Sequence, residues 1–420
     1  MKYLRGITEH YSRLLENILS LVTIRGLEYF ISFVTLPYLV RVLGPNFFGD
    51  IVFAQAIIAY VGLITAYGFN MTAPRDIAQL NSLEERGRLF GAVFGAKLCL
   101  LIICSIFFIG IGLFITQWKV LDWPLYTIAY ISIIGEVFFP VWFFQGVQRM
   151  RYITYANIAA RTITTLGIFW LVRSPHDYLL AVFFQSIVPF LASIVAWIIL
   201  YREYSEVFCM PEPIAVCHVL SKGWDIFIAS LAINIYTSST VVILGLVSNN
   251  MIVGYFSAAS KMINAVTQLL SPISQAIYPY VSNLAARSKH DVINFIRKLI
   301  ILLGGAMGAI SLLLFIFSEH IVILVLGDKF FPAIIYIKIM AFLPFIIALS
   351  NLFGMQTMMV FGMQKIFRTI LLGAACLHLF GIIPLCLMFN GSGAAVMTLL
   401  TELFVTVAMG IVLKRRHILF

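Results

Sequence analysis

The apolar residues of this chain come in long, nearly unbroken runs, not in the one-face-in-two or one-stripe patterns of a water-soluble domain. The runs lie at about 17–40, 47–69, 89–115, 123–146, 152–172, 178–201, 224–247, 251–281, 294–317, 332–360, 367–389 and 391–413. Each is bounded by charges or by Gly, Pro and Asn. A helix needs about twenty mainly apolar residues to cross the hydrocarbon core of a bilayer. A helix that is apolar all round belongs in a core or a membrane. The pattern therefore predicts an all-α integral membrane protein with about twelve transmembrane helices.

Composition narrows the class further. Of 420 residues 61% are hydrophobic and 11% charged, against roughly a quarter charged in an average soluble domain. The net charge of +10 would raise nucleic acid as a partner in a soluble protein. Here the basic residues gather at the ends of the apolar runs, so no nucleic-acid partner is expected. The six cysteines lack metal-ligand spacing, and no metal or cofactor is expected. Residues 1–16 mix Lys2, Arg5 and Arg13 with Glu9 and Glu16 and show no apolar core before a small-residue cleavage site. They read as an amphipathic cytoplasmic segment, not a cleaved signal.

Orientation follows from Lys and Arg in the short connections. One set holds 19 of them: Lys2, Arg5, Arg13, Arg75, Arg86, Arg88, Arg149, Arg151, Arg202, Lys222, Arg287, Lys289, Arg297, Lys298, Lys365, Arg368, Lys414, Arg415 and Arg416. The opposite set holds four, Arg41, Lys119, Arg173 and Lys329. This bias predicts that both termini are cytoplasmic, which requires an even number of crossings. The external connections are short, the longest running from about Ser318 to Phe331. A cytoplasmic connection at 202–223, with Pro211 and Pro213, divides a six-helix lobe at 17–201 from another at 224–413, and 414–420 forms a cytoplasmic tail. With an even number of crossings each, the two lobes are parallel and are expected to enclose a central cavity.

Five bases remain inside the runs: Arg25, Lys97, Arg161, Lys261 and Lys338. An ionised residue at the centre of a span costs about 2.5 to 3.5 kcal/mol on insertion scales, so it normally faces a cavity or a partner. Arg161, far from both ends of its run, and Lys261 are the leading candidates for a cationic cavity, with Lys97 in support. Each could instead be held in a packing ion pair. Lys338 lies near an interface, and Arg25 has Glu28 one turn away, close enough for mutual neutralisation. The titratable groups Glu136, Glu402 and His378 sit near run centres and are candidates for ion coupling or for hydrogen-bonded packing. Asp225 and Glu28 are further candidates, although an acid at Asp225 also suits a helix start. More bases than acids favours an anionic substrate, and Arg binds phosphate oxygens in a bidentate fork. Trp118, Trp123 and Tyr126 read as an interfacial belt, and Tyr67, Phe69, Tyr236 and Tyr255 could stack on sugars.

A faint repeat joins the halves: LGPNFFGDIVFAQA around Gly49 and VSNNMIVGYFSAASK around Gly254. With these, LPYLVRVLGPNFFGD, TAYGFNMTAPRDIA and GWDIFIASLAINIYTSSTVVILGLVSNNMIVGYFSAASKMINA resemble the polysaccharide transporter family of the multidrug/oligosaccharidyl-lipid/polysaccharide exporter superfamily, and most of all its Wzx-type O-antigen flippases. The resemblance covers nearly the whole chain. It implies movement of an undecaprenyl-diphosphate-linked oligosaccharide from the cytoplasmic to the periplasmic leaflet of a bacterial inner membrane, with membrane lipids and other glycan-assembly membrane proteins as partners. Two rivals stay open: a cation-coupled drug or metabolite antiporter of the same superfamily, and a membrane-embedded glycan polymerase or ligase. A primary pump is disfavoured by the absence of a phosphate-binding loop motif, and no metalloprotease or nucleophile-elbow motif is present.

Overall fold

Backbone amides in hydrocarbon have no water to bond, so a chain with these runs must satisfy them within each segment. In the computed structural model the ordered elements among the described residues are helices, with no strand. The structure describes the backbone of residues 2–80, 82–116, 122–207, 209, 211–285, 288–416 and 418. Side chains are described for these apart from 2–30, 32, 33, 115, 116, 206, 225, 229, 232, 233, 235–237, 276 and 279.

The helices are α1 (Lys2–Ala66), α2 (Phe69–Gln79), α3 (Leu83–Thr116), α4 (Trp123–Phe138), α5 (Val141–Gly146), α6 (Met150–Leu171), α7 (Tyr178–Ser186), α8 (Val188–Glu203), α9 (Pro213–Val247), α10 (Asn250–Thr267), α11 (Leu270–Ala285), α12 (Lys289–Leu299), α13 (Gly305–Ile316), α14 (Ser318–Ile321), α15 (Ala333–Met340), α16 (Leu343–Phe353) and α17 (Gln364–Arg415). Two of them are pairs of helices joined at a kink, α1 at Gly44 (φ 74°) and α17 at Asn390 (φ 50°). Among the described residues seven helical stretches are long and apolar enough to cross a membrane, and both kinks fall within them. Large apolar side chains stand exposed along these stretches, among them Phe107 on α3 and Phe380 on α17. Such a surface suits lipid and would be a liability in water.

The helices form two compact units, Asp50–Val242 and Met1–Gly49 with Ile243–Phe420. These limits differ from a division at 202–223, because the leading helix of each half packs with elements of the other half. In the unit 50–242 the first part of α9 is held by an ion pair from Lys222 to Asp76 (2.7 Å) and by Phe227 stacked on Tyr67 (centroids 4.6 Å apart, 8° between planes). In the other unit the end of the first helix of α1 is held by Arg41, which donates to the carbonyls of Ile323 and Leu324, and the start of its second helix by Phe48, edge-on to Phe330 at 6.4 Å. The segment 202–223, expected to be a loop, is helical from Pro213 onward. Pro213 opens α9 at its first position, where a missing N–H costs nothing. Tyr67 and Phe69, expected as candidates for sugar stacking, are buried in the apolar core instead.

Candidate functional site

In the unit 50–242 the polar chemistry starts from a proline. Pro140 has no N–H, so the carbonyl of Glu136, one turn earlier in α4, loses its partner within the helix. Lys97, on α3 and 4% exposed, donates from Nζ to that carbonyl at 3.0 Å. Trp197 of α8 donates from Nε1 to the carbonyl of Phe138 at 2.7 Å, satisfying the other end of the same break. A buried ammonium and a broken helix thus solve each other's desolvation. The Glu136 side chain is exposed. Its Oε2 lies 3.2 Å from where a Cβ on Gly62 would stand, so the glycine lets α1 approach the carboxyl. Two turns along α1, Gln55 donates to Gln185 of α7 (Nε2 to Oε1, 3.2 Å). Gln55 and Gly62, seven residues apart, share one face of α1. Arg161 is half-buried on α6, and Thr164 donates to its carbonyl at 3.1 Å.

The other unit places Lys261 differently. It is half-buried on α10, with Nζ 5.2 Å from the centroid of the Phe48 ring, within cation–π range. It makes no hydrogen bond or ion pair among the described residues. Phe48 meets Phe330 edge-on, and Phe330 meets Tyr255 at 5.6 Å and 90°. One residue after Phe48, Gly49 crosses Gly254. A Cβ on Gly49 would stand 1.8 Å from the carbonyl oxygen of Asn250, and one on Gly254 would stand 2.0 Å from that of Pro45. The two glycines of the sequence repeat are therefore the contact point of one close helix crossing.

His378 is buried on α17, its Nδ1 2.9 Å from the Thr401 hydroxyl oxygen. That hydroxyl donates to the carbonyl of Met397, so Nδ1 is the donor toward Thr401. Glu402 is half-buried, and its carboxyl makes no hydrogen bond or ion pair among the described residues. Lys338 is exposed in the last turn of α15. The side chains of Arg25, Glu28, Asp225 and Tyr236 lie outside the described residues.

The expected site residues are thus brought together in one case, Lys97 with Glu136. Gln55 and Gln185 were not anticipated from sequence. Uncharged polar residues inside an apolar run were the available signal, since interhelical amide contacts are a recurrent device in membranes.

Residues 14–285 match the family described as polysaccharide biosynthesis protein. A protein of Escherichia coli (strain K12) named as an O-antigen transporter is 33% identical over 407 residues, covering 96% of this chain and 97% of that one. The chain belongs to the polysaccharide biosynthesis protein family. Among solved structures, the lipid II flippase MurJ in an inward closed conformation superposes with a TM-score of 0.72 at 10% identity, over 94% of this chain and 87% of that one. A multidrug resistance MATE family transporter of the MOP superfamily, solved inward-facing, gives 0.69 at 12% identity, over 92% and 94%. At such identities the two structures establish the fold: this member of the family is a multi-pass, all-helical membrane protein with the architecture of those transporters.

Proposed function

We propose that the chain is a flippase, not an enzyme. It carries a diphosphate-linked lipid oligosaccharide of the O-antigen type from the cytoplasmic to the periplasmic leaflet of a bacterial inner membrane, by alternating access. The observation that carries this reading is the full-length similarity to the Escherichia coli O-antigen transporter. The site chemistry supports it: Lys261 offers a span cation without an acidic partner among the described residues, and Lys97 and Arg161 add positive charge in the other unit. With the cytoplasm negative, each net negative charge moved outward releases about 2.3 kcal/mol per 100 mV. Both termini are cytoplasmic in this reading, about twelve crossings fall in two six-helix sets, and Lys261 is the base offered to the head group.

Coupling to an ion gradient belongs to the same proposal, with Glu136, Glu402 and His378 as the groups that exchange protons. Replacing the responsible one by Gln removes the pH dependence of export while leaving the protein in the membrane. If all three variants keep wild-type pH dependence, coupling lies elsewhere. The flippase reading itself is tested by expressing the chain in bacteria that assemble lipid-linked O-antigen units but have lost their own exporter. Return of glycan to the cell surface is the result it requires. Resistance to cationic drugs without surface glycan would replace it with the antiporter reading.

A further inference from the structure

Beside the Lys97–Glu136 contact, α3, α4 and α8 form a groove of about 930 Å³ whose walls include Phe94, Phe138, Phe190, Ile194, Trp197 and Arg202. Its floor is an aromatic box, with Phe94 edge-on to Phe138 at 5.7 Å and to Trp197 at 5.3 Å. The walls hold few polar atoms, and those are already engaged. Trp197 Nε1 is bonded to the carbonyl of Phe138, and Ser193 donates to that of Phe190 at 2.7 Å. Among the described residues Arg202, at the wall, makes no hydrogen bond or ion pair through its guanidinium, and it is exposed in the last turn of α8. The neighbouring Glu203 makes no ion pair with it; that carboxylate is turned to Tyr152, whose hydroxyl proton is shared between its two oxygens, at 2.7 and 2.6 Å. Among the described residues the groove is thus apolar along its length with one cation at one end that makes no ion pair. That is the complement of a lipid: a hydrocarbon chain ending in an anionic phosphate.

We propose that this groove binds one anionic phospholipid of the bilayer, an acyl chain lying along Phe94, Phe190, Ile194 and Trp197 and the phosphodiester at Arg202. The charge count selects this lipid over a polyprenyl diphosphate, because one guanidinium balances a singly charged phosphodiester but not a diphosphate. The site is separate from the proposed transport of glycan and does not depend on it. It does adjoin that machinery: Phe94 lies one turn from Lys97 on α3, and Phe138 lies two residues from Glu136 on α4. An occupied groove therefore supports the helix break that Lys97 and Trp197 satisfy.

The test is native mass spectrometry of the purified full chain titrated with phosphatidylglycerol or phosphatidylcholine of matched chains, with thermal unfolding read in parallel. Wild type is expected to retain phosphatidylglycerol about fivefold better, the discrimination that one interfacial basic residue supplies. Arg202→Gln should lose that preference while still binding both lipids weakly. Ile198→Trp, at a groove-wall residue 51% exposed, where a larger side chain does not crowd the core, should reduce retention of both. Equal retention of the two lipids by wild type would overturn the proposal, as would Arg202→Gln with unchanged preference, which would leave Arg202 only the task of facing the helix dipole. Displacement of bound phosphatidylglycerol by an equimolar polyprenyl diphosphate would also overturn it, by assigning the groove to a diphosphate lipid.

Discussion

Lys97 and Lys261 are both lysines in apolar helices, yet the protein uses them in opposite ways. Lys97 is buried and its ammonium is bonded to a carbonyl that Pro140 has orphaned, with a carboxyl on the same residue as that carbonyl. Lys261 rests against an aromatic face and has no anionic partner among the described residues. A cation inside a membrane is therefore not by itself a ligand-binding group. What separates the two is whether the fold already gives the ammonium a hydrogen-bonding partner. On that basis Lys261 is the base with charge to offer an anion, and Lys97 supports the frame of the other unit.

Charge reversal gives the largest separation. Lys261→Glu should lower export by about a hundredfold, the equivalent of two lost charge-assisted contacts, without moving the melting temperature. Export at wild-type rates would end the ligand role of Lys261. Next comes the crossing that sets Phe48 beneath it. Gly49→Ala or Gly254→Ala forces a methyl into space held by the carbonyls of Asn250 or Pro45. Overpacking of this kind costs roughly 1 to 3 kcal/mol. A drop in thermal stability with an accompanying loss of export is expected, and an unchanged melting curve for both variants would mean the crossing is not close in the membrane. The smallest effect is at Lys97. Lys97→Met should cost about 1 to 3 kcal/mol of stability by leaving the Glu136 carbonyl unsatisfied. Adding Pro140→Ala, which returns an N–H to that carbonyl, should recover part of it in a double-mutant cycle. Additive losses would show that Lys97 does not act through the helix break.

The apolar helices were legible because a run of some twenty apolar residues has few other fates. Contacts between distant runs were not. The Gly49 and Gly254 repeats stood out as similar turns, but similarity does not say that the two glycines meet. Glu136 was visible as a mid-span acid, whereas its backbone carbonyl, which does the bonding to Lys97, matters only because of a proline four residues on. Tyr67 and Phe69 looked available for sugars because aromatic residues at helix ends can serve either a ligand or a core, and burial is decided by α9 packing over them. The start of α9 was placed near 224 because Pro211 and Pro213 read as a linker, although proline is equally a first-turn residue. Gln55 and Gln185 carry no charge, so a census of ionisable groups passed over them.

Reconstitution into liposomes loaded with a lipid-linked oligosaccharide in a known leaflet tests the central claim most directly, with a membrane-impermeant glycan-modifying enzyme as the reporter outside. The account predicts that the protein makes the inner-leaflet pool accessible to that enzyme, and that Lys261→Glu, at equal protein density, does not. Accessibility identical with and without protein, accompanied by protein-dependent efflux of a cationic dye, would contradict it.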